Sequence, residues 1–211
     1  MGLTQLLFTN PVLFIILAVI LIYSVIFHEV AHGWVAHRFG DDTALRYGRL
    51  TLNPASHFEP FGTLMLFFVG FGWAKPVPVN YYGLKNMRFA LFSVALAGCL
   101  TNILIAIIAM FLLQLEFITK IPTLAIILPI VIRTNIMLGA FNLIPLPPLD
   151  GSKVLMSFLP QDTQEMFSRI EPYGFFILIF LLFTGLLNPL INFMYNMIFG
   201  FIGLLFSFLP G

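Results

Sequence analysis

His28-Glu29-Val30-Ala31-His32 is the stretch of this chain best equipped for chemistry. On a helix, two histidines four residues apart share one face and can hold a Zn²⁺ between them. The glutamate one residue after the first histidine is turned about 100° away. It can act on a water activated by the metal without being a ligand itself. The placement matters as much as the pattern. From Pro11 to Phe27 there is no charged residue, and the three polar groups then arrive together. Burying them in or near lipid is costly, and a bound metal and its chemistry offset that cost. The rival reading is a chance recurrence of three residue types, which their rarity in apolar helices makes a poor one.

A zinc site of this kind needs a third protein ligand. Asp150, in Pro145-Leu146-Pro147-Pro148-Leu149-Asp150-Gly151, is the candidate, although an aspartate before glycine is also an ordinary turn residue. Whether it reaches the histidines depends on the elements that carry it.

The chain has 211 residues, of which 60% are hydrophobic and 9% charged, and a mean hydropathy of +1.00. Soluble domains carry about 25% charged residues. The composition predicts an all-α polytopic membrane protein: one integral-membrane domain over 1–211, with a core at about 11–158 and C-terminal helices at about 172–209. The lipid bilayer is then an obligatory partner. A net charge of +1 gives no electrostatic case for nucleic acid. One cysteine, Cys99, excludes an internal disulfide framework. No small-residue cleavage site follows the first apolar run, which is read as a retained span.

About five spans are expected: Pro11 to Phe39, Phe89 to Leu115, Ile121 to about Pro145, Pro172 to Leu187, and Leu190 to Leu209. Gly40-Asp41-Asp42 ends the first. Thr43 to Asn53 alternates around Tyr47-Gly48 and predicts a short β-hairpin, whose edge an extended substrate can use. Phe61–Trp73 is apolar but short, with three glycines, and predicts a re-entrant segment. Arg38, Arg46, Arg49, Lys75, Lys85 and Arg88 lie between the first two spans, and Lys153 and Arg169 follow the third. The positive-inside rule places both groups in the cytoplasm. Asp150 then meets His28 and His32 at similar depth, provided Phe61–Trp73 does not cross.

HEVAHGWVAHRFGD, GRLTLNPASHFEPFGTL, GWAKPVPVN, AGCLTN and FNLIPLPPLDGSKVL resemble, in this order, motifs of the site-2 protease family of intramembrane zinc metalloproteases, and most of all its small bacterial branch. The resemblance covers about residues 25 to 155. It implies one zinc per chain, held by His28, His32 and Asp150, with Glu29 as general acid and base. It also implies a substrate that is itself a membrane protein with a transmembrane helix, cut near the cytoplasmic face, and a bacterial inner-membrane location. The family usually has proline where this chain has Cys99, which bears on the local bend of the second span.

Asn142 and Asn102 are amides in apolar helices. The resemblance places them along the active site, where Asn142 can donate to a developing oxyanion; interhelical hydrogen bonding is the alternative for both. His57 lies in a pattern the small bacterial branch shares, and either approaches the zinc or substrate or is a plain interfacial histidine. His37 falls off the ligand face. Arg133 either snorkels or pairs near the third span. A metal transporter and a catalytically inactive binding module are the competing functions, but neither requires Glu29 beside the first ligand.

Overall fold

The structure is a computed structural model that describes residues 3–62, 74–81 and 87–207. Its helices begin and end for local reasons. After a short α1 (Leu3–Thr9), α2 runs from Pro11 to Arg38. Pro11 sits where its missing N–H costs nothing, and the Asn10 side chain accepts the Leu13 N–H at 3.1 Å. The other end is closed by Gly40, whose φ of 97° lets the Asp41 N–H return to the Ala36 carbonyl. Its 28 residues span roughly 42 Å, enough to cross a hydrocarbon core.

The region of the expected β-hairpin is helical. Thr43–Arg46 forms α3, and no strand occurs among the described residues. Two local forces explain the difference. The Asp41 carboxylate accepts the backbone N–H and the hydroxyl of Thr43, which starts a turn. Gly48, at φ 63°, then returns its own N–H to Leu45 and that of Arg49 to Ala44. Tyr47-Gly48 is thus a helix C-terminus of the Schellman type and not a hairpin turn. A 3₁₀ turn, Pro54–His57, follows. From residue 63 on, the expected re-entrant segment lies outside the described residues.

The next helices are α4 (Met87–Gln114), the short α5 (Glu116–Thr119) and α6 (Pro122–Asn142), which contains Pro129. Then come α7 (Asp150–Phe158), α8 (Gln161–Phe183) and α9 (Asn188–Ser207). Among the described residues four helices, α2, α4, α6 and α9, are long and apolar enough to cross a membrane. The expected fourth of five spans, Pro172–Leu187, is the second half of α8, with Pro172 inside the helix. Its apolar run from Tyr173 to Phe183 covers roughly 16 Å, about half of a bilayer core. Leu178 of this run, and Leu187 beyond the end of α8, are buried with Ile144 and Leu149 at the proline-rich turn.

The α4 helix is the hub and packs against α2, α6 and α7. Its buried face is rich in small residues, Ala90, Ala95, Ala97, Gly98, Ala106 and Ala109, which let neighbouring backbones come close. Ala106 and Ala109 meet Leu128, Ile132, Ile136 and Ala140 of α6 and Ile198 and Ile202 of α9 in the largest core cluster. Outward-facing Ile15, Leu104, Ile126 and Phe201 are more than half exposed, as lipid-facing residues are.

Candidate metal centre

His28 and His32 lie on the face of α2 that meets α4, and both are buried. Their rings are edge to face, with Nε2 atoms 3.0 Å apart. Asp150 opens α7, and its Oδ2 lies 2.9 Å from His28 Nε2 and 3.1 Å from His32 Nε2. Among the described residues this is the one group of three His, Cys, Asp or Glu side chains close enough to share a metal.

The neighbouring atoms fix what these three present. His28 Nδ1–H donates to Asn102 Oδ1 at 2.7 Å, and His32 Nδ1–H donates to the Val94 carbonyl at 2.6 Å. With both Nδ1 protons committed, each neutral imidazole turns an Nε2 lone pair toward the other and toward a carboxylate oxygen. Three acceptors converge where only a cation satisfies them. A tetrahedral zinc with bonds of about 2.0–2.2 Å would place its ligand atoms roughly 3.3–3.6 Å apart, a few tenths of an ångström beyond the 2.9–3.1 Å found. The donor set fits zinc.

Two glycines make the approach possible. A Cβ on Gly98 would lie 2.5 Å from His28 Cε1 and Nε2 and from His32 Nε2. A Cβ on Gly151 would lie 2.3 Å from the Leu143 carbonyl oxygen and 2.5 Å from that of Ile144. The aspartate before Gly151 therefore sits where α7 presses directly onto the residues that follow α6.

The Glu29 carboxylate stands outside the ligand trio. Its Oε2 accepts the Val77 N–H at 2.8 Å. Val77 belongs to Ala74–Tyr81, which is held from several sides. Arg49 donates to the Lys75 and Pro76 carbonyls at 2.6 and 3.3 Å, the His57 carbonyl accepts the Lys75 N–H at 3.0 Å, and Asp41 Oδ2 accepts the Asn80 N–H at 2.7 Å.

The other expected site residues separate. Asn102 is fully buried against His28, and both its amide protons are spent inside the protein, on the Ser24 carbonyl at 3.2 Å and on Asn135 Oδ1 at 2.8 Å. Asn142, the last residue of α6, donates to its own helix at the Leu138 carbonyl, 3.1 Å away. His57 is buried in the 3₁₀ turn and donates from Nε2 to the Thr51 carbonyl at 2.8 Å. His37 is exposed and pairs with Asp42 at 2.7 Å. Cys99 Sγ stands 4.0 Å from Asp150 Oδ2. Ser24 and Asn135 were not expected here. Ser24 had a signal, being one turn before His28 on the same face; Asn135 had none beyond being an amide in an apolar helix.

Apolar helices crossing a bilayer around a buried His-Glu-x-x-His and aspartate centre define a membrane metallopeptidase. Comparison with known proteins agrees. The model of peptidase family M50 matches residues 16–123 and 117–185. "Putative zinc metalloprotease YwhC" of Bacillus subtilis is 41% identical over 187 residues, covering 83% of this chain and 85% of that protein. "Putative zinc metalloprotease Rip2" of Mycolicibacterium smegmatis is 28% identical over 186 residues, 78% of this chain and 65% of the relative. "Putative zinc metalloprotease MJ0611" of Methanocaldococcus jannaschii is 33% identical over 133 residues, 62% of this chain and 63% of the relative. No solved structure matches. The chain belongs to peptidase family M50, the site-2 protease family.

Proposed function

We propose that this zinc metalloprotease hydrolyses peptide bonds in or near transmembrane segments of other membrane proteins, from a centre on the cytoplasmic side of a bacterial cell membrane. The observation that carries the reading is the convergence of His28, His32 and Asp150 to within 3.1 Å at the ends of apolar helices. Those three residues would hold the metal. Bound zinc supplies a Lewis acid and lowers the pKa of a water toward about 7.

The chain's own residues do the rest. Glu29 takes the proton from the attacking water and delivers it to the leaving amine. Its hydrogen bond from Val77 holds and aims one carboxylate oxygen. Asn142 can serve a developing oxyanion once its amide leaves the Leu138 carbonyl. A substrate helix must unwind locally, because helical hydrogen bonds shield its carbonyls. A re-entrant Phe61–Trp73 keeps both halves of the site on one side of the membrane.

The test is Glu29→Gln, which keeps shape and loses basicity. Zinc content should stay near one per chain, and cleavage should fall by about 10²–10⁴-fold. Comparative membrane proteomics of the two strains should reveal uncut membrane proteins accumulating in the variant. A variant cleaving a confirmed substrate at near wild-type rate would falsify the mechanism. A transporter would instead show altered metal flux and no accumulating substrate.

A further inference from the structure

We propose that Asn135, backed by Ser24, is a positioning residue for the metal centre, acting through Asn102 on the tautomer and orientation of His28. The inference rests on the zinc reading above.

Ser24, Asn102 and Asn135 come from α2, α4 and α6, and all three are buried, the two amides completely. Their bonds form one continuous chain. Asn135 Nδ2 donates to Ser24 Oγ at 2.9 Å and to the Val131 carbonyl at 2.9 Å. Asn135 Oδ1 accepts from Asn102 Nδ2 at 2.8 Å, and the second proton of that amide goes to the Ser24 carbonyl at 3.2 Å. Asn102 Oδ1 is then the atom left to face His28 Nδ1, at 2.7 Å.

The direction of this chain is determined, which is what gives it a function. All four amide protons have acceptors. Turning Asn102 over would set its NH₂ against His28 Nδ1 and its oxygen against two other acceptors. Asn135 Oδ1 and the Ser24 carbonyl together forbid that flip. Asn102 must therefore present an acceptor, His28 must carry its proton on Nδ1, and the Nε2 lone pair must point at His32 and Asp150. Buried amides are costly in an apolar helix unless satisfied, and here both are. The chain also ties α6, which leads through the proline-rich turn to Asp150 at the start of α7, to the helix that carries both histidines.

Outer partners of metal-bound histidines typically contribute about 10–100-fold in affinity. For the whole protein in detergent, zinc affinity measured by chelator competition should fall about tenfold in Asn135→Leu and a few-fold in Ser24→Ala. Ile136→Ala, a neighbouring core change on the same helix, should leave it within about twofold. The double variant Asn102→Leu with Asn135→Leu should bind zinc no worse than Asn102→Leu alone, since Asn135 acts only through Asn102. Wild-type zinc affinity in Asn135→Leu, or additive losses in the double variant, overturns the proposal. If Asn135→Leu does not fold, Ser24→Ala decides, and unchanged affinity there overturns it. Zinc retained in His28→Ala would instead remove the zinc reading itself.

Discussion

Gly98 sets how near α4 comes to the two histidines. With no side chain there, the backbone of α4 lies against the Nε2 edges of both imidazoles, the edges turned toward Asp150. Gly98→Ala should push those edges apart with little effect on the helices. Overpacking costs about 1–3 kcal/mol; taken out of metal binding, that is roughly a 5- to 150-fold loss of zinc affinity. Chelator competition together with unchanged far-ultraviolet dichroism tests it, and unaltered affinity would place Gly98 away from the centre. The clustering of His28, His32 and Asp150 was legible because histidine and aspartate are rare in apolar sequence and their spacing points to shared chemistry. The amide chain behind it was not. Asn135 is a single residue with no companion at helical spacing, and only folding brings it to Asn102.

Elements were legible where burial in lipid dictates them and illegible where one side chain does. The spans at α2, α4, α6 and α9 follow from length and apolarity alone. Alternation in Thr43–Asn53 looked like a hairpin because pattern does not register Asp41, whose carboxylate starts a helical turn, or the left-handed Gly48 that ends it. Asp41 also holds Asn80, so one buried carboxylate ties the end of α2 to Ala74–Tyr81. Burial would raise its pKa, but hydrogen bonds from Thr43 and Asn80 and the nearby Arg46 bring it below the ordinary value. A carboxyl depressed on folding stabilises the protein above its unfolded pKa of about 3.9 and loses that contribution as pH falls through the folded value. Wild type should therefore lose thermal stability below about pH 4 more steeply than Asp41→Asn. Equal slopes would remove Asp41 from this role. Asp41→Ala leaves two backbone donors unpaired and should cost about 2–3 kcal/mol at neutral pH, read from thermal melts in detergent.

For the whole molecule, the question is which face of the membrane each connection meets. The proposed site needs the ends of α2 and α6 on one side, and the positive-inside rule makes the cytoplasm the expected side. In a Cys99→Ser background, single cysteines at Thr43 and Asn80 should react with an impermeant thiol reagent only from the cytoplasm. One at Thr119 should react only from outside. Labelling of Thr43 and Asn80 from opposite faces would break the arrangement. The C-terminal part was the least legible at this scale, because the apolar run in α8 is short and hydropathy alone does not fix which side of the membrane it ends on.

His32 and Asp150 are 118 residues apart in the chain. At a synthesis rate of about 5–20 residues per second, roughly 6 to 24 s pass between making one and the other. During that interval the growing chain carries two histidines and a glutamate but no third ligand. A membrane zinc protease is thus kept incomplete while its first helices are entering the bilayer, and the three side chains of its candidate metal centre are all present only after α6 has been made.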